Sequence, residues 1–232
     1  MIILKLLTFD EERDFPYYRH NPRLSKGVWL ILLLLIPVSY ICYILFSFDE
    51  LLSSIIFCMV LLVPLLYFSN WDYKLIFQRP TKNEIILAFL MFVIYLAYSL
   101  LMASVLEMFQ LMPTSPPVSS DITFVSLVSL LFSMMAEELL KFIPLMFFMR
   151  VFFKYTNKRN LSFVSSMIIV LVFFAFLHYD PSSTSIASVL LLQGLGSLVE
   201  MYGYAKTKNL LVPYMSHLFT DAFSFIIIMM GL

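Results

Sequence analysis

"SLLFSMMAEELLKFIPLMFF", residues 129–148, is as long as a bilayer is thick and almost wholly apolar, yet Glu137, Glu138 and Lys141 sit near its middle. About 20 apolar residues in a helix cross a hydrocarbon core of roughly 30 Å. Charge inside such a span is costly and marks function by default, with a partner expected nearby. Reading this stretch as a membrane span decides the fold class and also where chemistry should be sought.

Composition agrees. The chain has 232 residues, 61% of them hydrophobic and 13% charged, with a mean hydropathy of +0.92. Soluble domains carry about a quarter charged residues. The formal net charge is zero, which gives no basic footprint for nucleic acid. Cys42 and Cys58 lie in apolar runs and form neither a disulfide framework nor a metal pattern. The opening "MIILKLLTF" is too short for a secretory signal and runs into the acidic "DEERD". With Pro16 and Pro22, the segment up to Lys26 reads as a soluble or interfacial extension.

Working outward from 129–148 gives seven expected spans: 28–47, 51–68, 85–108, 122–152, 162–178, 184–204 and 209–231. The fourth exceeds one bilayer and is expected to tilt, or to break near Pro144, which cannot donate to a helix ladder. The predicted fold is an all-α polytopic bundle of about seven transmembrane helices around a polar intramembrane cavity. It divides into a cytoplasmic segment (1–27), three accessory helices (28–121) and a four-helix core (122–232). The connection "MPTSPPVSS" (112–120) is the most irregular.

With seven spans, every Lys and Arg except Lys141 falls on one side of the membrane: before the first span, between the second and third, between the fourth and fifth, and between the sixth and seventh. The positive-inside rule then places the N-terminus in the cytoplasm and the C-terminus outside, in the plasma membrane.

The ionisable residues expected deep in spans are Glu137, Glu138, Lys141, His178, His217 and Asp221. Glu107 and Glu200 read as boundary residues near span ends, and His20 has no role. On a helix, residues three and four apart are neighbours, so Lys141 can pair with either glutamate. One such pair pins a helix; the second carboxylate then has no partner. The spacing of "HLFTD" lets Asp221 orient His217. Taken together, carboxylates and histidines from three spans leave two chemistries open. They can bind zinc with a position left for water, or a glutamate can activate water while other donors stabilise an oxyanion. The zinc helix motif H-E-x-x-H is absent.

The ordered set "EELLK" (137–141), "FAFLH" (174–178) and "HLFTD" (217–221) resembles the three motifs of the CPBP or Abi membrane proteases, which include the CAAX prenyl endopeptidases and the PrsW-type proteases. The first and third motifs look like the PrsW branch. The second begins as in that branch but ends in His178, as in the CAAX branch. The run "GYAKTKNLLVPYMSH" (203–217) is also similar to the superfamily. The resemblance covers roughly 122–231.

It implies an intramembrane endopeptidase acting on a membrane-bound or lipidated peptide. Glu137 would activate water, with His178 assisting. His217 and Asp221 would stabilise the oxyanion or position the scissile carbonyl, and Glu138 and Lys141 would support them. The implied site is metal-free; were zinc bound, Glu137, His178, His217 and Asp221 would be its ligands. An ionised Asp221 cannot donate to an oxyanion as asparagine does, so it must be protonated, orient His217 or bind a metal. The alternatives are a non-catalytic scaffold or bacteriocin-immunity protein, and a proton-relaying transporter; the latter predicts repeats or paired broken helices, which the sequence lacks. Measured from the cytoplasmic span ends, Glu137 and His178 lie about 22–24 Å deep, Asp221 about 18 Å and His217 about 12 Å.

Overall fold

Each early span begins where a polar side chain can hold the free amides of a first turn. Ser25 accepts from the Val28 amide and Asp49 from the Leu52 amide. Thr81 with Glu84 and Thr123 with Ser126 form reciprocal capping boxes. The helices so started are α1 (Lys26–Leu45), α2 (Glu50–Phe68), α3 (Lys82–Met108) and α4 (Phe124–Thr156). They are followed by α5 (Arg159–Leu177), α6 (Ile186–Thr207) and α7 (Leu211–Met229). The structure, a computed structural model, describes residues 13–19, 24–112 and 122–230. The opening stretch 1–12, His20 and nearly all of the 112–120 connection lie outside these residues.

All seven helices fall where spans were expected, with ends displaced by a few residues. Six are long and apolar enough to cross a membrane. The seventh, α4, is longer than one crossing and carries Glu137, Glu138, Lys141, Arg150 and Lys154 along its length. The helices turn large apolar side chains outward, among them Leu34 and Ile41 on α1, Ile86 and Phe89 on α3 and Ile168 on α5. In water such surfaces would aggregate; in lipid they are solvated. The fold is an all-α, multi-pass membrane protein.

α4 packs against α1, α2, α5 and α7, while α3 lies against α6 and α7. It runs unbroken through Pro144, whose surroundings are wholly buried. The alternative of a break there is therefore not realised, since neighbouring helices can support a proline inside a membrane helix. Within α6, Val189–Leu195 is a π-helix, and it meets α5 closely. A Cβ at Gly194 would lie 3.2 Å from that of Ala175.

Two expectations about the basic side of the molecule are corrected. Residues 13–19 are no solvated extension. Phe15, Tyr17 and Tyr18 are buried. Phe15 stacks on Phe163 at 4.8 Å, Tyr18 meets Phe153 edge-on at 4.9 Å, and the Tyr17 hydroxyl bonds Ser69 at 2.8 Å. The polar reading weighed the charges and prolines and discounted three aromatic rings. Asp14 ties the segment down: burial would raise its carboxyl, but the Tyr18 hydroxyl, Arg159 and the Phe15 amide outweigh that and hold it below the ordinary aspartate value.

The α6–α7 turn is likewise no surface loop. Lys208, Asn209 and Leu210 are buried. Asn209 exchanges two hydrogen bonds with the Gln78 backbone (3.1 and 3.0 Å), and the Leu210 amide donates to the Ile76 carbonyl at 3.0 Å. The Lys208 ammonium sits over the Phe15 ring at 5.5 Å. α7 therefore starts inside the protein, which matters for the site.

Candidate active site

Glu137 and Glu138 are neighbours in α4, so they point about 100° apart around its axis. The structure sends them to different surroundings. The Glu138 side chain is 3% exposed and that of Glu137 is 20% exposed.

Glu138 belongs to a closed chain of charges. Its Oε1 accepts from Lys141 Nζ at 2.6 Å and from His217 Nδ1 at 2.9 Å. Lys141 Nζ also bonds Glu200 Oε2, from α6. The ammonium lies over the Phe174 ring at 4.7 Å. Lys141, Glu138 and Glu200 are all buried. A lone ammonium here would be prohibitively expensive; with two carboxylates and a ring face it is fully surrounded.

Glu137 belongs to an open group. Its Oε2 is 3.8 Å from His178 Nε2 and 3.8 Å from His217 Nε2. Asp221 Oδ2 is 3.7 Å from the same His217 nitrogen. These separations are too long for direct hydrogen bonds and suit groups that act on something between them. Both histidines have fixed tautomers. His178, at the C-terminal cap of α5, has Nδ1 3.0 Å from the Phe174 carbonyl, which can only accept, so Nδ1 carries the proton. His217 likewise donates from Nδ1 to Glu138, and both Nε2 atoms face Glu137. Tyr40 and Tyr43 of α1 lie within electrostatic reach of Glu137, and Tyr95 of α3 within reach of Glu200 and Asp221.

All six residues singled out from the sequence meet in this one region. The expected depth mismatch between Glu137 and His217, about 10 Å, disappears because α7 begins deep. His217 is less than two turns into α7, while Glu137 is more than five turns from the end of α4 at Thr156. The residue missed is Glu200, read as a boundary group and found buried against Lys141. No local pattern marks it. Only the burial of the following turn moves it from a span end to the interior.

Zinc can be tested against these donors. Among the described residues, the group of three whose donor atoms all lie within 4.8 Å of one another is Glu138, Glu200 and His217. Lys141 Nζ is bonded to both of those carboxylates, so a cation already fills the place a metal would take. In the expected ligand set of Glu137, His178, His217 and Asp221, neighbouring donor atoms stand 3.7–3.8 Å apart.

Residues 119–223 match the family model described as Rce1-like, Type II CAAX prenyl endopeptidase Rce1-like. No curated protein and no solved structure matches the chain. The matched stretch contains the "EELLK", "FAFLH" and "HLFTD" motifs in full, together with Glu200. By these motifs and that match, residues 119–223 are similar to the CPBP/Abi superfamily, in which the CAAX prenyl endopeptidases fall.

Proposed function

We propose that the protein is an intramembrane endopeptidase that hydrolyses a peptide bond in a membrane-associated or lipidated peptide. The observation that carries this reading is Glu137. It alone of the three clustered glutamates stands clear of Lys141, partly exposed, with the Nε2 atoms of two histidines each 3.8 Å from its Oε2.

The chemistry follows from the positions. A water between Glu137 and His178 gives its proton to the Glu137 carboxylate as its oxygen attacks the scissile carbonyl. The His178 Nε2 lone pair accepts the water's second hydrogen and aligns it. The carbonyl oxygen, now negative, lies toward His217 Nε2 and Asp221. A proton held by one of these two groups, which stand 3.7 Å apart, supplies the donor that an ionised aspartate lacks. Glu137 then returns its proton to the leaving amine. No step in this scheme uses a metal.

The core at 122–232 carries this site, and the accessory helices at 28–121 bring Tyr40, Tyr43 and Tyr95 within electrostatic reach of its carboxylates. In this reading the N-terminus is cytoplasmic and the C-terminus outside, in the plasma membrane, and the peptide reaches Glu137 from within the bilayer.

The test uses full-length protein in lipid nanodiscs and an internally quenched, farnesylated peptide ending in a CAAX sequence, alongside an unprenylated transmembrane peptide. Cleavage of either by the wild type, lost in Glu137→Gln and untouched by chelator, is the expected result. A wild type that cleaves neither, or a Glu137→Gln variant as active as wild type, overturns the proposal in favour of a binding scaffold.

A further inference from the structure

The charges behind His217 hold more than an ion pair requires. Lys141 needs one carboxylate, and Glu138, on its own helix, supplies it. A second buried carboxylate adds a desolvation cost that a purely structural pair would avoid. The geometry shows what the second one does. A single oxygen, Glu138 Oε1, serves two donors, the Lys141 ammonium at 2.6 Å and His217 Nδ1 at 2.9 Å. That oxygen has a lone pair for each donor, but an ammonium bonded to it alone would draw its charge away from the weaker donor, His217. Glu200 reaches in from α6 and bonds the same ammonium from the other side. It does not bond His217 itself, since Oε1 is 3.8 Å from Nδ1.

We propose that Glu200 is a positioning residue for the hydrolysis, one that rests on the protease reading of this site. By drawing the Lys141 ammonium partly off Glu138, it leaves Glu138 Oε1 negative enough to fix His217 through Nδ1–H and so to aim Nε2 at the reacting carbonyl. The charged groups facing His217 are then Glu137, Glu138 and Lys141 from α4, Glu200 from α6 and Asp221 from α7.

Charge and shape separate this role from packing. Gln is nearly isosteric with Glu but neutral; Asp is shorter but charged. With the same farnesylated peptide, Glu200→Gln is expected to lower kcat about 100-fold, the scale of a misplaced catalytic group. KM should stay within about twofold, because Glu200 touches no substrate. Glu200→Asp should keep more activity than Glu200→Gln. The reverse order, or a Glu200→Gln variant with wild-type kcat, overturns the proposal.

A second readout needs no cleavage. The chain has three histidines, so ¹⁵N-histidine labelling gives an assignable spectrum. The His217 Nδ1–H signal should exchange slowly in wild type and in Glu200→Asp, and should be lost in Glu200→Gln. It should return when Lys141→Met is added to Glu200→Gln, because the competitor for Glu138 Oε1 is gone. An unchanged signal in Glu200→Gln, or no return in the double variant, refutes the positioning role. A wild type with the protected signal but no peptidase activity instead refutes the protease reading alone.

Discussion

Glu137 and Glu138 share a backbone, a helix and a chemistry, and differ in everything around them. Glu138 is sealed among Lys141, His217 and, through the lysine, Glu200, at bonding distances. Glu137 is left partly open, with its neighbours nearly 4 Å away. The lesson is about rotation. One residue step on a helix turns a side chain from a structural lock into a reactive position. A doubled glutamate is thus a way of building both on one rigid element, where the lock holds His217 and the free carboxylate uses it.

The largest expected effect breaks the open side. Glu137→Gln should cost about 1,000-fold in kcat, within the range for a general base, while its thermal unfolding stays at the wild-type value because no bond of the closed chain is lost. Equal destabilisation by Glu137→Gln and Glu138→Gln would erase the distinction between the two carboxylates. Next, Lys141→Met strands two buried carboxylates. It should destabilise the fold by about 3–5 kcal/mol, the usual consequence of removing one partner from a buried charge group, as measured by unfolding in detergent.

Asp221 tests the far edge of the open group. Asp221→Ala should lose about 100-fold in activity, as when one oxyanion donor is removed, and Asp221→Asn should retain most of it, because an amide donates without having to be protonated. The smallest effect lies away from both carboxylates. Asp14 has a folded pKa below its unfolded value, so its contribution is full above about pH 4 and fades as pH falls through the folded value. Asp14 is nearly half exposed, which keeps that contribution below about 1 kcal/mol. Asp14→Asn should therefore unfold slightly earlier than wild type at pH 7, and the gap should close in acid.

Much of this was legible in the sequence because membrane helices obey simple rules. Bilayer length set the spans, the i, i+3 and i, i+4 spacings linked Glu138 to Lys141 and His217 to Asp221, and charge inside apolar runs singled out the site residues. What escaped were features created by tertiary burial. Phe15, Tyr17 and Tyr18 sit among charges in the sequence and are buried because α1, α4, α5 and α6 offer aromatic partners. Lys208 and Asn209 read as a basic surface turn until Gln78 and Phe15 cover them. Glu200 followed from that error, since the depth of its helix was measured from a turn assumed to lie at the membrane surface.

The π-helical stretch Val189–Leu195 acts as a phase setting for α6. Its wider turn takes up more residues than an α-turn does, and whatever follows is rotated to match. Removing a single residue there would let the stretch rewind as α-helix with Glu200 still on nearly the same face, whereas a residue removed from the α-helical winding that follows would swing Glu200 by about 100° around the axis, away from Lys141. Substitutions at lipid-facing Leu195, by contrast, leave the phase intact. A one-residue deletion within Val189–Leu195 should therefore keep more activity than Glu200→Gln does.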